Sequence, residues 1–456
     1  MKIVCVGGGP AALHFAALMR LQDPSHEIIV YERDPAGSTY GWGVTYWGGL
    51  LDRLRHRDPV TAAAVRAHSV SRRDGIAHIG DRTARHRGDE NFAIGRHRLL
   101  AVLAGRAASL GVRLEYEREL TDPDGADLAG ADLVVAADGA GSALRTRYAA
   151  HFGTRLTPGR NSYAWLGTTR VLDAFTFAFV PTPHGWIWCY GYGYGEGHST
   201  FLVECAPATW TGLGLDGTHR AGGPGDSGGP HGSGGPGSAH GPGATDGSGN
   251  TAGPAALATL EHLFAGVLDG HPLLTGAHPA GGAPRGPGAA GASGGQRGPG
   301  PAGGPRRLTF RTLTNRTWYR DNLVLIGDAA HTTHYSVGAG TTLALDDAAA
   351  LAGALGRYRE LPAALAHYDR ERRAALVPAQ SAARHSAQWY ENLPRYIGLP
   401  PDRMFALLGQ RHSPLLPYVP PRLYCGLDRA VDRLGVLRGL KRRIGPRLAR
   451  ALHPRP

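Results

Sequence analysis

Three short segments hold the residues best suited to chemistry. The first is Gly7-x-Gly9-x-x-Ala12, with Pro10 and Ala11 between its fixed positions. Gly7 permits a tight turn and Gly9 lets a pyrophosphate approach the backbone; Ala12 takes the third place of a dinucleotide fingerprint, which tolerates alanine. A helix starting there offers unpaired N–H groups and its positive dipole end to phosphates. Glu32 lies twenty residues beyond Ala12, the place for a carboxylate on the adenosine ribose, and Arg33 follows it. The second segment is Asp138-Gly139-x-x-Ser142-x-x-Arg145. The third runs from Leu325-Ile326-Gly327-Asp328-Ala329-Ala330-His331 to Val337-Gly338-Ala339-Gly340-Thr341-Thr342. Taken alone, Asp138-Gly139 reads as a turn after a strand and Gly327-Asp328 as a helix N-cap. The fingerprint binds a dinucleotide but does not separate FAD from NAD.

These segments need a scaffold. Residues 2–6 read as a buried parallel strand, followed by a helix from about Pro10 to Leu21 with proline in its first turn. Ile28–Tyr31 and Leu133–Ala137 read as further buried strands, and Leu99–Leu110 as a helix. This alternation predicts an α/β fold with a doubly wound, parallel-sheet domain. From about Asn161 to Cys205 the pattern changes to short aromatic strands, an antiparallel sheet suited to a substrate domain. Period-two alternation puts the aromatics of each strand on one face, either as core or as the wall of a flat pocket. Residues 217–252 and 277–305 are mostly Gly, Pro, Ser and Ala, with too little apolar content to offset the entropy of ordering. They read as disordered insertions flanking one helix over Ala255–Leu268. From about Leu343 the chain reads as mostly helical. The expected division is a first part of the cofactor domain over 1–155, a substrate domain over 156–310, a return to the cofactor domain over 311–390, and a basic helical tail over 391–456.

The chain has 456 residues, room for a large core, and a net charge of +12. Arg429 to the end contributes nine basic residues against one acid, Asp432. That tail has helical apolar spacing broken by Gly445-Pro446. It could touch anionic membrane, attract an anionic acyl carrier or CoA, or pack as a solvated helix on the cofactor domain. No nucleic-acid partner is expected. Four scattered cysteines give neither metal-site spacing nor a disulfide framework. No signal peptide and no run of about 18 apolar residues is recognised, so a reducing, cytoplasmic location is expected.

Asp138-Gly139-x-x-Ser142-x-x-Arg145 resembles the DGxxSxxR element of the para-hydroxybenzoate hydroxylase class, and Gly327-Asp328 its second FAD motif. Longer segments resemble a narrower group, the salicylyl-CoA and anthraniloyl-CoA hydroxylases and the violacein-pathway monooxygenases. They are Tyr40-Gly41-Trp42-Gly43-Val44, Ile94 to Leu100, Gly159 to Thr168, Ser199 to Cys205, and Gly327 to Thr341. Thr45-Tyr46-Trp47 departs from the aryl-CoA pattern.

The resemblance implies bound FAD, with NADH or NADPH as a transient co-substrate; no second GxGxxG follows a strand. It implies that O2, activated as a flavin C4a-hydroperoxide, hydroxylates an aromatic substrate, an aryl-CoA thioester or an indolic intermediate. It implies that Asp328 binds the ribityl chain, that Arg96 reaches FAD with Arg98 as a second candidate, and that Gly338, Ala339, Gly340 and Thr341 face the flavin ring. Oriented N–H groups there would stabilise reduced, anionic flavin. His334 and Ser336 lie on the same loop. They are candidates to orient a substrate group or relay a proton, or His334 is a structural cap. A flavin-dependent halogenase is the rival, since Trp186-Ile187-Trp188 is similar to the WxW of those enzymes. It would need an active-site lysine, whereas Lys2 lies on the first strand and Lys441 in the tail. A flavin oxidoreductase without hydroxylating activity is the other alternative.

Overall fold

A computed structural model describes residues 1–39, 41–122, 125–216, 253–276, 304–413, 416 and 418–420. Almost all of both Gly/Pro-rich insertions and the basic tail from Arg429 lie outside the described residues. Two sheets organise the rest. The first has six strands, in the order Tyr319–Arg320, Leu323–Leu325, Leu133–Ala136, Lys2–Val6, Glu27–Tyr31, Arg113–Glu115. All neighbours are parallel except the Tyr319–Arg320 edge pair.

Register in this sheet explains how distant motifs meet. Val6 pairs with Tyr31 on one side and Ala136 on the other, and Ala136 pairs with Leu325. Four strands therefore end at one edge. Gly7, Glu32, Asp138 and Gly327 all emerge there, at the carboxyl ends where open α/β sheets bind ligands. Apolar residues such as Ile3, Val4, Val135 and Val324 are fully or nearly fully buried, so both faces of the sheet are covered. Helix Pro10–Gln22 follows the first strand, Gly340–Arg357 runs beside it, and Leu361–Glu391 runs beside Gly340–Arg357.

The second sheet has nine strands, and its path runs Leu273–Leu274, Arg155–Thr168, His198–Cys205, Gly185–Gly195, Phe175–Thr182, Val70–Ile79, Arg82–Gly95, Gly43–Trp47. Leu308–Thr314 pairs with Arg155–Thr168 off this path. Among the described residues of this sheet, only Val70–Ile79 and Phe175–Thr182 pair in parallel. Strands from 43 to 95, within the expected first segment, thus belong to this sheet. Their hairpin turns at Gly80-Asp81, with Gly80 at φ +58°.

Alternation sorts this sheet. Ala164, Leu166, Ile187, Cys189, Phe201 and Val203 face one core, where Phe201 meets Phe264 edge-on. Tyr163, Trp165, Tyr190, Tyr192, Phe177 and Trp188 face the other side. There Trp188 stacks on Tyr390 and Phe177 meets Phe405, both from the C-terminal helices. The expected helix over Ala255–Leu268 is broken at Phe264 into Pro254–Leu263 and Ala265–Leu268. Leu260, Phe264 and Leu268, four residues apart, all reach the core. The helix expected from Leu99 starts at Arg96, with Gly95 as its N-cap.

Candidate active site

Gly7 sits at φ +99°, where a Cβ would lie 2.5 Å from the Ala137 carbonyl oxygen, so only glycine fits this turn. Gly9 is the N-cap of helix Pro10–Gln22, and Ala12 is fully buried beneath it. The Glu32 carboxylate accepts from the Gly8 N–H at 2.6 Å and from the Asp34 N–H at 2.9 Å. Glu32, Arg33 and the glycine turn line a cleft of about 380 Å³ that extends to Arg96, Asp138 and Asp328. Arg33 leans toward Asp34 and Glu119, at 3.6 and 3.9 Å.

The other two motifs close this cleft and grip each other. Asp138 accepts from the Ala143 N–H at 2.9 Å, and Ser142 caps the short helix Ala143–Arg147 by accepting from the Arg145 N–H at 3.0 Å. Arg145 donates to the Ala140 carbonyl at 2.6 Å and to the Ala329 carbonyl at 3.1 Å. Gly327 turns at φ +60°, close to Ala11. Its N–H donates at 3.0 Å to Asp347, which also accepts from His331 Nε2 at 2.8 Å and Arg372 Nε at 2.8 Å. His331 and Arg372 hold the Asp347 carboxyl below its usual range despite its burial.

FAD fits what these residues leave open. Arg96 Nε and Asp138 Oδ1 are buried without a partner among the described residues. Burial pushes both the Asp138 and Asp328 carboxyls up, although Arg145 and Arg96 oppose this. A dinucleotide brings phosphate oxygens for a guanidinium and sugar hydroxyls for carboxylates, which satisfies these groups. Arg98 turns away instead and binds the Glu196 carboxylate at 2.8 Å.

A second cavity of about 190 Å³ continues from this cleft, sharing Gly9, Arg96, Gly139 and Asp328 with it. Gly338, Ala339, Gly340 and Thr341 form one wall, and Tyr163, Trp165, Tyr190 and Tyr192 of the nine-stranded sheet form another. Gly338 lies at φ +60°, and a Cβ on it would stand 2.6 Å from Thr45 Oγ1. Glycines also seat the aromatic rings: a Cβ at Gly167 would meet Trp42 at 2.4 Å, and one at Gly41 would meet Trp165 at 2.7 Å. Motif glycines at 41 and 167 thus serve ring placement.

His334 and Ser336 do not line this cavity; Tyr335 between them does. His334 Nδ1 is 2.8 Å from Ser336 Oγ, and Ser336 Oγ is 2.6 Å from Ser386 Oγ. Arg411 donates to the Ser336 carbonyl at 2.6 Å and to Ser386 Oγ at 3.0 Å. Burial, with Arg411 nearby, pushes the His334 imidazole down to about 3, so it stays neutral near pH 7. Its geometry is that of a cap on the turn Tyr335–Val337, whose Ser336 N–H it faces at 3.4 Å. Sequence reading missed Tyr335, Asp347, Arg411 and the buried Glu204. For Glu204 a signal existed: it follows Thr200 and Leu202 at two-residue spacing, and both line the cavity.

A glycine turn at a parallel-sheet edge, opening into an aromatic chamber beside a second glycine loop, defines a dinucleotide-binding α/β protein. The FAD binding domain family matches residues 292–382. The chain is 34% identical to 3-hydroxy-4-methyl-anthranilyl-(aryl-carrier protein) 5-monooxygenase of Streptosporangium sibiricum, over 90% of this chain and 94% of that protein. It is 33% identical to salicyloyl-CoA 5-hydroxylase of a Streptomyces species over 87% of its length, and spans 66% of that protein. It is 26% identical to protodeoxyviolaceinate monooxygenase of Chromobacterium violaceum, over 95% of this chain and 100% of that protein. The fold matches 2-methyl-3-hydroxypyridine-5-carboxylic acid oxygenase at a TM-score of 0.60, with 15% identity, covering 90% of this chain and 96% of that one. The chain belongs to the FAD-dependent aromatic monooxygenases. Among the described residues no helix is long and apolar enough to cross a membrane.

Proposed function

We propose that this chain hydroxylates a small aromatic acyl group carried as a thioester, on CoA or on a carrier protein, using O2 and NADH or NADPH. The observation that carries the reading is the aromatic-walled cavity facing the Gly338–Thr341 loop, continuous with the dinucleotide cleft. The thioester rests on the names of two relatives at 33% and 34% identity.

In this reading Gly7, Gly9, Pro10, Ala11 and Ala12 hold the FAD pyrophosphate at the helix N-terminus. Glu32 and Arg33 hold the adenosine end, Arg96, Asp138 and Gly139 the middle, and Gly327 and Asp328 the ribityl chain. Gly338, Ala339, Gly340 and Thr341 lie along the ring. When bound, FAD supplies the redox chemistry, taking hydride and activating O2. The protein's part is to seat the ring against Tyr163, Trp165, Tyr190 and Tyr192, to hold it at reacting distance and to exclude water. His334 and Ser336 act on the reaction through the shape of the loop that carries Tyr335. The Gly/Pro-rich insertions take no part. The six-stranded sheet and helices over 1–155 and 311–390 hold the cofactor, and 156–310 holds substrate.

The test is to supply salicyloyl-CoA, anthraniloyl-CoA and the free acids to FAD-loaded protein, and to follow NAD(P)H oxidation and labelled oxygen in the product. The thioesters are expected to give labelled product faster than the acids. Equal or better turnover of the free acids would overturn the thioester; loss of all labelled product would overturn hydroxylation.

A further inference from the structure

Glu204 is a carboxylate only 2% exposed, on the cavity-facing side of strand His198–Cys205. Its cross-strand neighbours are Trp188 and Tyr163. No ion pair among the described residues includes it; the nearby Glu391 is the one that Arg160 holds, at 3.0 Å. Its two oxygens are specifically partnered. Asn161 Nδ2 donates to one at 2.7 Å, and the Tyr335 hydroxyl donates to the other. Tyr335 lines the cavity. A buried carboxylate without a cation is costly, and here it is held by the hydroxyl of a residue that lines the cavity.

We propose that Tyr335 is a catalytic residue and Glu204 its proton acceptor, together relaying a proton from a hydroxyl group on the aromatic substrate. The inference rests on the hydroxylase reading above. In the step, the substrate O–H bond breaks and its proton goes to the Tyr335 oxygen. The Tyr335 phenolic proton passes at the same time to Glu204. The electron pair left on the substrate oxygen feeds the ring and makes its ortho and para carbons nucleophilic. Glu204 ends neutral, Tyr335 is unchanged, and no further oxidant or reductant is needed. The proton returns once product leaves.

The surroundings set when Glu204 can accept. Tyr163 faces it from strand Arg155–Thr168, Tyr335 from the loop, and Tyr390 and Glu391 from helix Leu361–Glu391; Cys205 adjoins it on its own strand. Burial first, and then Glu391, push the Glu204 carboxyl up to about 8, while Asn161 and Trp188 oppose this. The acceptor form therefore grows as pH rises toward and past 8.

The test uses FAD-loaded full-length protein with salicyloyl-CoA as the probe. Wild type is expected to show a single-turnover hydroxylation rate that rises with pH through about 8. Glu204→Gln and Tyr335→Phe are each expected to lower that rate at neutral pH by on the order of a hundredfold. Both should lose the limb, with FAD affinity and flavin reduction by NAD(P)H unchanged. A methoxy analogue, which has no proton to give, should react equally slowly in all three. Wild-type rate and an intact pH limb in both variants would overturn the relay while leaving the hydroxylase reading standing. Absence of labelled product in the wild type itself would overturn both. Should Glu204→Gln fail to fold, Tyr335→Phe with the methoxy control decides alone.

Discussion

The Arg145 guanidinium donates to the main-chain carbonyl of Ala329 at 3.1 Å, across 184 residues of sequence. Its second arm reaches the Ala140 carbonyl at 2.6 Å. The last residue of one motif therefore clamps the turn of another, and both border the dinucleotide cleft. Arginine suits this because its planar fork serves two carbonyls at once.

Arg145→Met should keep the fold but loosen the clamp. Each charge-assisted hydrogen bond lost is worth about 1.5–3 kcal/mol. FAD affinity, measured by quenching of flavin fluorescence, is expected to fall on the order of ten- to a hundredfold. Unchanged affinity would show that the two turns hold their shape without the link.

Asp347 has a different task. It is fully buried and gathers Gly327, His331 and Arg372 on one carboxylate. Asp347→Ala would strand a buried guanidinium, a loss of about 3–5 kcal/mol. A Tm several degrees lower is expected even for protein with saturating FAD. Asp347→Asn should lose less stability, because an amide still accepts from the Gly327 N–H.

Much of this site was legible because it depends on strand ends. Buried parallel strands at Lys2–Val6 and Leu133–Ala136 fix where Gly7 and Asp138 emerge, and their apolar runs are plain in sequence. What stayed hidden depends on facing. Asp346 and Asp347 are adjacent, yet one pairs with exposed Arg53 and the other turns fully inward. The helical pitch decides which, and the chain alone does not show the rotation. The loop gave the same difficulty: His334 and Tyr335 are equally good candidates by type, and only the turn capped by His334 aims Tyr335 at the cavity. Strands Val70–Ile79 and Arg82–Gly95 escaped notice because exposed charged residues interrupt their apolar pattern. Their Gly-Asp turn was the available signal.

His334 supplies a pH dependence of stability rather than of rate. Its imidazole is held down from 6.5 to about 3, so the folded protein binds fewer protons than the unfolded chain in that window. Its contribution is complete above pH 6.5 and is lost as pH falls toward 3. His334→Asn keeps an acceptor for the Ser336 N–H but does not titrate. Melting temperature should therefore fall less steeply in the variant than in the wild type between pH 6.5 and pH 4. Parallel curves would mean that His334 is not held neutral.

Arg411 ties the loop His334–Gly338 to the C-terminal helices. It donates to the Ser336 carbonyl at 2.6 Å and to Ser386 Oγ at 3.0 Å, and Ser386 Oγ in turn meets Ser336 Oγ at 2.6 Å. None of these groups lines the dinucleotide cleft. Arg411→Met should therefore leave FAD affinity within about threefold, less than the loss of one hydrogen bond to a charged group. The loop that carries Tyr335 and Gly338 would lose its anchor, and a shift of about 1 Å at a reacting centre can cost on the order of a hundredfold in rate. Product formed per NAD(P)H oxidised is expected to fall, with hydrogen peroxide making up the difference. The comparison is made at matched FAD occupancy, so that cofactor loss does not imitate uncoupling. Unchanged coupling in Arg411→Met would mean that the loop is held by its own turn, through His334 and Gly338, and not by the C-terminal helices.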